Sequence, residues 1–134
     1  MIVGVFLKGN ILLLGGSGTL GSYIIKSKKF PKLKYPSKKK LNILNKKKII
    51  NYLSKNNIKL ILHCAAIARV RDCELNKRKA KRVNIEGTRN IVQSINKTNK
   101  HIKLIFLSSD AVYSPTKGNH KETDKLSPYN VYGK

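Results

Sequence analysis

The sequence predicts an α/β protein built on a doubly wound parallel sheet, and three observations predict it. Short apolar runs alternate with lysine-bearing segments of helical period, which is the pattern of βαβ units. The first apolar run, Ile11-Leu12-Leu13-Leu14, leads straight into Gly15-Gly16-Ser17-Gly18-Thr19-Leu20-Gly21 and then into a segment that can be helical. Strand, glycine turn and helix in that order give a glycine pattern structural meaning. Finally, the glycine turn, Cys64–Ala68 and Ser108–Ala111 all fall at the carboxyl ends of expected strands, where open parallel sheets bind ligands.

Taken in order, Asn10–Leu14 reads as a buried strand and Leu20–Lys28 as a helix. Phe30–Tyr35 is a weak second strand ended by Pro36, followed by a Ser37–Lys40 loop and a short extended piece, Leu41–Ile43. Lys46–Lys55 is helical, with Ile49, Ile50 and Leu53 on one face. Lys59–Cys64 is a strand. Cys73–Asn96 reads as one long helix with Ala80, Val83, Asn84, Gly87, Ile91 and Ile95 near helical spacing. Ile102–Ser108 is the fourth strand, and a polar loop, Ser114–Ser127, precedes a helix start at Pro128. The sheet is therefore Rossmann-like and stops after about four strands, with its ligand crevice expected at the switch between the first and fourth.

The glycines follow G-x-x-G-x-x-G at Gly15, Gly18 and Gly21, and Gly16 to Gly21 also fits G-x-G-x-x-G. An early glycine permits the tight turn, the middle one lets backbone N–H groups approach a pyrophosphate, and the last lets helix pack on strand. The helix N-terminus then offers free N–H groups and partial positive charge to the phosphates.

Composition narrows the rest. With 134 residues, 40% of them hydrophobic, there is material for one cored domain. Cys64 and Cys73 form neither a disulfide framework nor C-x-x-C, which fits a reducing, cytoplasmic setting. His63 beside Cys64 has no second ligand pair at metal spacing, so no metal is expected. Met1–Leu7 is apolar, but too short for a membrane helix and without a basic leader. There are no internal repeats. Lysine and arginine number 29 against 6 aspartates and glutamates, a net charge of +23. That excess is mostly lysine, shared with abundant Asn and Ile, as A/T-rich codons produce. Only Phe30, Tyr35 and Tyr52 interleave the basic runs, a poor stacking platform. Salt-sensitive, nonspecific adhesion to nucleic acid is expected, and no specific nucleic-acid partner.

Ser108-Ser109-Asp110 ends a strand, and Pro128-Tyr129-Asn130-Val131-Tyr132-Gly133-Lys134 ends the sequence. A hydroxyl beside a tyrosine suits carbonyl reduction: the phenol donates the proton while a nicotinamide supplies hydride. A nearby lysine ammonium helps by favouring phenolate.

These segments resemble the N-terminal half of the extended short-chain dehydrogenase/reductases, and among them the dTDP-4-dehydrorhamnose reductase family. The resemblance is carried by G-G-S-G-T-L-G at 15–21, H-C-A-A-I-A-R-V at 63–70, N-I-E-G-T at 84–88, S-S-D-A-V-Y at 108–113 and E-T-D-K-L-S-P-Y-N-V-Y-G-K at 122–134. They run in family order. The resemblance implies reduction of a 4-keto nucleotide sugar with NADP(H) or NAD(H). It places the pyrophosphate at Gly18, Thr19 and Leu20, within the Gly15–Gly21 turn. Ala66, Ile67 and Ala68 line the cofactor's inner edge, and Asn42 and Ile43 flank the adenine. It makes Ser109 the catalytic hydroxyl, with Asp110 its companion in substrate contact, and Tyr132, rather than Tyr129, the proton donor, because V-Y-G fits Tyr132 only.

Several positions depart from the family. Asn42 stands for a usual Asp, His63 for Asn and Ala111 for Tyr. No acid follows the second strand to hold a ribose hydroxyl; Lys38, Lys39 and Lys40 lie there instead. They would suit a 2′-phosphate and tip the expectation slightly to NADP(H). Lys134 stands two residues after Tyr132, about 200° around a helix, whereas the family motif Y-x-x-x-K wants four. The resemblance thus reads residues 1–134 as an incomplete dinucleotide-binding domain with the C-terminal substrate domain absent, inactive as it stands. It implies a homodimer for a full-length form and no membrane. The alternative readings are a nucleotide-sugar epimerase or dehydratase fragment and a non-catalytic nucleotide-binding relic.

Overall fold

The computed structural model describes residues 9–98, 100–116 and 118–134. The Met1–Leu7 run lies outside them. Four strands form one parallel sheet in the order β2-β1-β3-β4: β1 is Asn10–Leu14, β2 Leu33–Lys34, β3 Ile58–His63 and β4 Lys103–Phe106. Helices flank it: α1 is Thr19–Lys26, α2 Lys46–Lys55, α3 Val70–Leu75, α4 Lys77–Lys81 and α5 Gly87–Lys97. This is the Rossmann-like arrangement that the alternating pattern predicts.

Parallel strands buried on both faces read as continuous apolar runs. Leu12, Leu13 and Leu14 of β1 and Ile61 of β3 are accordingly buried. Leu12, Leu14 and Ile61 join Ile49 and Leu53 of α2 and Ile91 of α5 in one core, which Leu41 and Ile43 complete. Leu13 lies on the other side, where α1 brings Ile25 near it across Gly16. Because β1 is flanked by β2 on one side and β3 on the other, the chain reverses direction across the sheet between β1 and β3. The switch is there, and not between the first and fourth strands.

Other expectations are also corrected. The second strand shrinks from Phe30–Tyr35 to two residues, Leu33 and Lys34, paired with Ile11 and Leu12. Pro31 and Pro36 bracket it, and proline cannot donate to a ladder. Leu41–Ile43 is no strand. Asn42 Oδ1 accepts from Leu44 N (2.9 Å), and its carbonyl accepts from Asn45 N (2.9 Å), so a side-chain turn takes the place of a ladder.

The long helix Cys73–Asn96 is broken. Asn76 leaves helical geometry, ends α3 and caps α4 by accepting from Lys79 N, an alternative that asparagine side chains offer the backbone. A wide π turn, Arg82–Glu86, then joins α4 to α5. The ladder of β4 ends at Phe106, short of Ser108. Among the described residues no helix starts at Pro128. The chain instead makes one turn closed by Lys134 N to Asn130 O (3.2 Å), with Asn130 Oδ1 taking Gly133 N (2.8 Å). No helix among the described residues is long and apolar enough to cross a membrane.

Candidate nucleotide site

A cleft of about 940 Å³ opens at the carboxyl ends of β1 and β3. Its floor is the glycine turn. Gly15 has φ +91, and a Cβ there would meet Ala65 N and Cys64 C at 2.6 Å. Only glycine lets the turn after β1 pass so close to the segment after β3. A Cβ on Gly21 would collide with Gly15 O and lie 2.8 Å from Gly16 Cα, so this glycine seats α1 on the turn. Gly18 differs: a Cβ there meets only Gly15 O, at 3.4 Å.

Gly18 is the cap of α1 and has no side chain to offer its N–H groups, and no acid stands in the first turn. The caps of α2 and α4, Asn45 and Asn76, do spend a side-chain oxygen on theirs. The start of α1 thus keeps backbone donors and the positive end of the helix dipole facing solvent, a cradle that fits the diphosphate of a dinucleotide.

The remaining walls place the other expected residues. Gly15, Gly18, Asn42, Ile43, Ala66 and Ile67 line the cleft. Thr19 and Leu20 stand exposed on α1 outside that lining, Gly21 is buried beneath the turn, and Ala68 is exposed beyond it. Lys38 lines the cleft but Lys39 and Lys40 do not.

The walls are fastened from behind by contacts that periodicity does not reveal. Asn84, in the π turn, grips Ile67 by both backbone groups, accepting from its N–H (2.8 Å) and donating to its C=O (3.0 Å). Cys73 Sγ adds a contact to the same carbonyl at 3.1 Å. Gly87 lets α5 sit against Ile43, whose Cδ1 would lie 2.6 Å from a Cβ there, and Asn90 Nδ2 holds Ile43 O at 3.0 Å. The N-I-E-G-T run contains Asn84 and Gly87, yet a grip across 17 residues leaves no spacing signal.

His63 ends β3 directly behind this wall. Thr88 gives its one hydroxyl proton to Asn84 O (2.7 Å), so its 2.9 Å contact with His63 Nε2 requires the ring N–H to donate. Nδ1 is then bare, buried and without a hydrogen-bond partner among the described residues. Burial lowers the His63 pKa to about 4, so the ring is neutral at physiological pH. Burial likewise raises the Cys64 thiol, and the Cys73 thiol is raised by burial and then by Asp72 and Glu74.

Ser109, Asp110 and Tyr132 stand outside the cleft lining. Ser109 Oγ accepts from Ala111 N (3.2 Å) and donates to Asp110 Oδ1 (3.1 Å). Tyr132 belongs to the turn that Asn130 caps. Its neighbour Gly133 packs so closely on Ala111 that a Cβ would overlap the Ala111 carbonyl. Ser127 N reaches Val112 O at 3.0 Å. The segments bearing Ser109 and Tyr132 are therefore brought together. Tyr132 is half-buried, whereas Tyr129 is 62% exposed.

Comparison with known proteins agrees with this fold. The family model described as RmlD substrate binding domain matches residues 9–134. A dTDP-4-dehydrorhamnose reductase of Aggregatibacter actinomycetemcomitans is 32% identical over 95 residues, which is 70% of this chain and 32% of that protein. The dTDP-4-dehydrorhamnose reductase of Bacillus anthracis str. Ames, solved in complex with NADP, superposes with a TM-score of 0.85 at 25% identity, over 95% of this chain and 46% of that one. The enzyme of the same name from Yersinia enterocolitica gives 0.79 at 30% identity, over 94% and 44%. The chain spans about a third to just under a half of the length of these relatives. A parallel sheet reversing at β1 and β3, a glycine turn that only glycine can form, and a family match over nearly the whole sequence agree: this chain belongs to the RmlD substrate-binding-domain family.

Proposed function

We propose that this chain is the cofactor-binding part of an NAD(P)H-dependent reductase acting on a 4-keto nucleotide sugar. The observation that carries the reading is the side-chain-free start of α1 at the mouth of the cleft between β1 and β3. Gly15 and Gly18 and the N–H groups of Thr19 and Leu20 would hold a dinucleotide's diphosphate, while Gly21 keeps α1 in place. Asn42 and Ile43 would flank its adenine, and Ala66, Ile67 and Ala68 would border the inner edge. Lys38, at the cleft wall, would pair with a 2′-phosphate and favour NADP(H); the Bacillus anthracis relative was solved with NADP.

The bound nicotinamide supplies hydride to the sugar's carbonyl carbon. Tyr132 gives its phenolic proton to the carbonyl oxygen, and Ser109, with Asp110 beside it, orients that oxygen. Neutral His63 keeps Thr88 and Asn84 in place behind Ile67 without putting positive charge behind the cofactor wall.

The test is a titration of the folded chain with NADPH and NADH. NADPH binding that Gly18→Leu removes is expected; no binding of either nucleotide would sink the reading. For the chemistry, the remaining portion of a relative is joined after Lys134. Turnover of a dTDP-4-keto sugar should then appear and should vanish on Tyr132→Phe. A chimera indifferent to that substitution would remove Tyr132 from its role.

A further inference from the structure

The turn that carries Tyr132 is held from the cleft side by a carboxylate. Glu74 Oε1 accepts from Val131 N at 2.8 Å, across 57 residues of sequence. Its other oxygen, Oε2, lies 3.7 Å from Lys77 Nζ. Val131 is the first residue after the Asn130 cap, and its N–H is among those that a helical turn leaves unsatisfied. A carboxylate is the strongest acceptor for such a group. Glu74 sits on α3, whose Asp72 and Leu75 line the nucleotide cleft. The same helix sends Cys73 Sγ to Ile67 O in the cleft wall. The chain is also pinned on either side of Val131: Ser127 N reaches Val112 O before it, and Gly133 packs on Ala111 after it.

We propose that Glu74 is a positioning residue for Tyr132, through which α3 links the occupied cleft to the tyrosine turn. With the chain fixed to the Ser109 segment before and after Val131, the Glu74 contact holds the stretch between those points, and so sets the direction in which the phenol is presented. Ordering of the cleft wall by nucleotide orders α3, and α3 orders Val131. This rests on the reading of Tyr132 as proton donor for its consequence in catalysis, but the link itself is a property of the chain.

The test uses the full chain as wild type, Glu74→Gln and Glu74→Ala, with NADPH as the probe. Exchange of the Val131 amide is followed by NMR against β1 amides as internal reference, together with the Tyr132 ring resonances. Glu74→Ala is expected to speed Val131 exchange about tenfold, whereas Glu74→Gln, which keeps an oxygen acceptor, changes it less than about threefold. NADPH should shift the Tyr132 ring in wild type and Glu74→Gln but not in Glu74→Ala. Unchanged Val131 exchange in Glu74→Ala, or a Tyr132 ring that still follows NADPH, overturns the proposal. Should Glu74→Ala fail to fold, Glu74→Gln decides: a Val131 amide as fast as an unprotected one overturns it, and near-wild-type protection supports it. In the chimera, Glu74→Ala should lower kcat with little change in KM for NADPH, and Glu74→Gln should restore it. A loss confined to KM counts against the proposal. A chimera that stays active as Tyr132→Phe removes the proton-donor reading and leaves the exchange result standing.

Discussion

The three glycines of the turn should separate folding from binding. Gly15→Ala places a Cβ at φ +91, 2.6 Å from Ala65 N and Cys64 C. The left-handed backbone costs about 1–2 kcal/mol. Forcing apart two backbones that cannot yield adds about 1–3 kcal/mol, for a total of about 2–5 kcal/mol. A domain holding roughly 5–15 kcal/mol in all would lose a large share, or about 6–15 °C in Tm at roughly 3 °C per kcal/mol. Gly21→Ala should act similarly, since its Cβ meets Gly15 O and Gly16 Cα. Gly18→Leu should not. Its Cβ has only an ordinary contact at 3.4 Å and its φ is −78, so stability should change by no more than about 1 kcal/mol. A side chain there covers the N–H groups of α1, and losing two charge-assisted hydrogen bonds should weaken NADPH binding about a hundredfold. Thermal melts and fluorescence titration of the three variants check this. Gly15→Ala melting with wild type, or Gly18→Leu binding NADPH normally, would refute the reasoning.

The other expectations concern the walls and the buried ring. Asn84→Ala removes both grips on Ile67 and should cost about 2 kcal/mol; denaturant melts with a wild-type midpoint would contradict it. Lys38→Glu should weaken NADPH about fivefold at low salt, leave NADH nearly unchanged, and lose its effect as salt rises. Equal loss for both nucleotides would exclude pairing with a 2′-phosphate. His63 has a folded pKa of about 4, below the unfolded value near 6.5. The unfolded chain therefore binds a proton first. Above that range His63 contributes no slope, and stability falls as pH drops from about 6.5 to about 4, by up to roughly 3 kcal/mol. His63→Asn should flatten that part of the stability profile, and an unchanged profile would contradict a ring buried neutral.

The sequence by itself determined the strands β1 and β3, helices α1 and α2, and the glycine turn. Each is written in neighbouring residues: continuous apolar runs, apolar positions at helical spacing, glycines where a strand must turn into a helix. Where local signals compete, the reading failed. Cys73–Asn96 has helical spacing throughout, but the Asn76 side chain takes Lys79 N, and Arg82–Glu86 widens into a π turn that leaves Asn84 free for Ile67. Asn42 likewise closes a turn where an extended piece was expected. The position of the switch depended on strand order, and no spacing within one segment carries that. The residues that make the cleft rigid are set by contacts between distant segments: Asn90 on Ile43, Thr88 on His63, Glu74 on Val131. Hydrogen bonds across tens of residues have no period, so only the folded chain could decide which polar side chains meet the walls and which meet water.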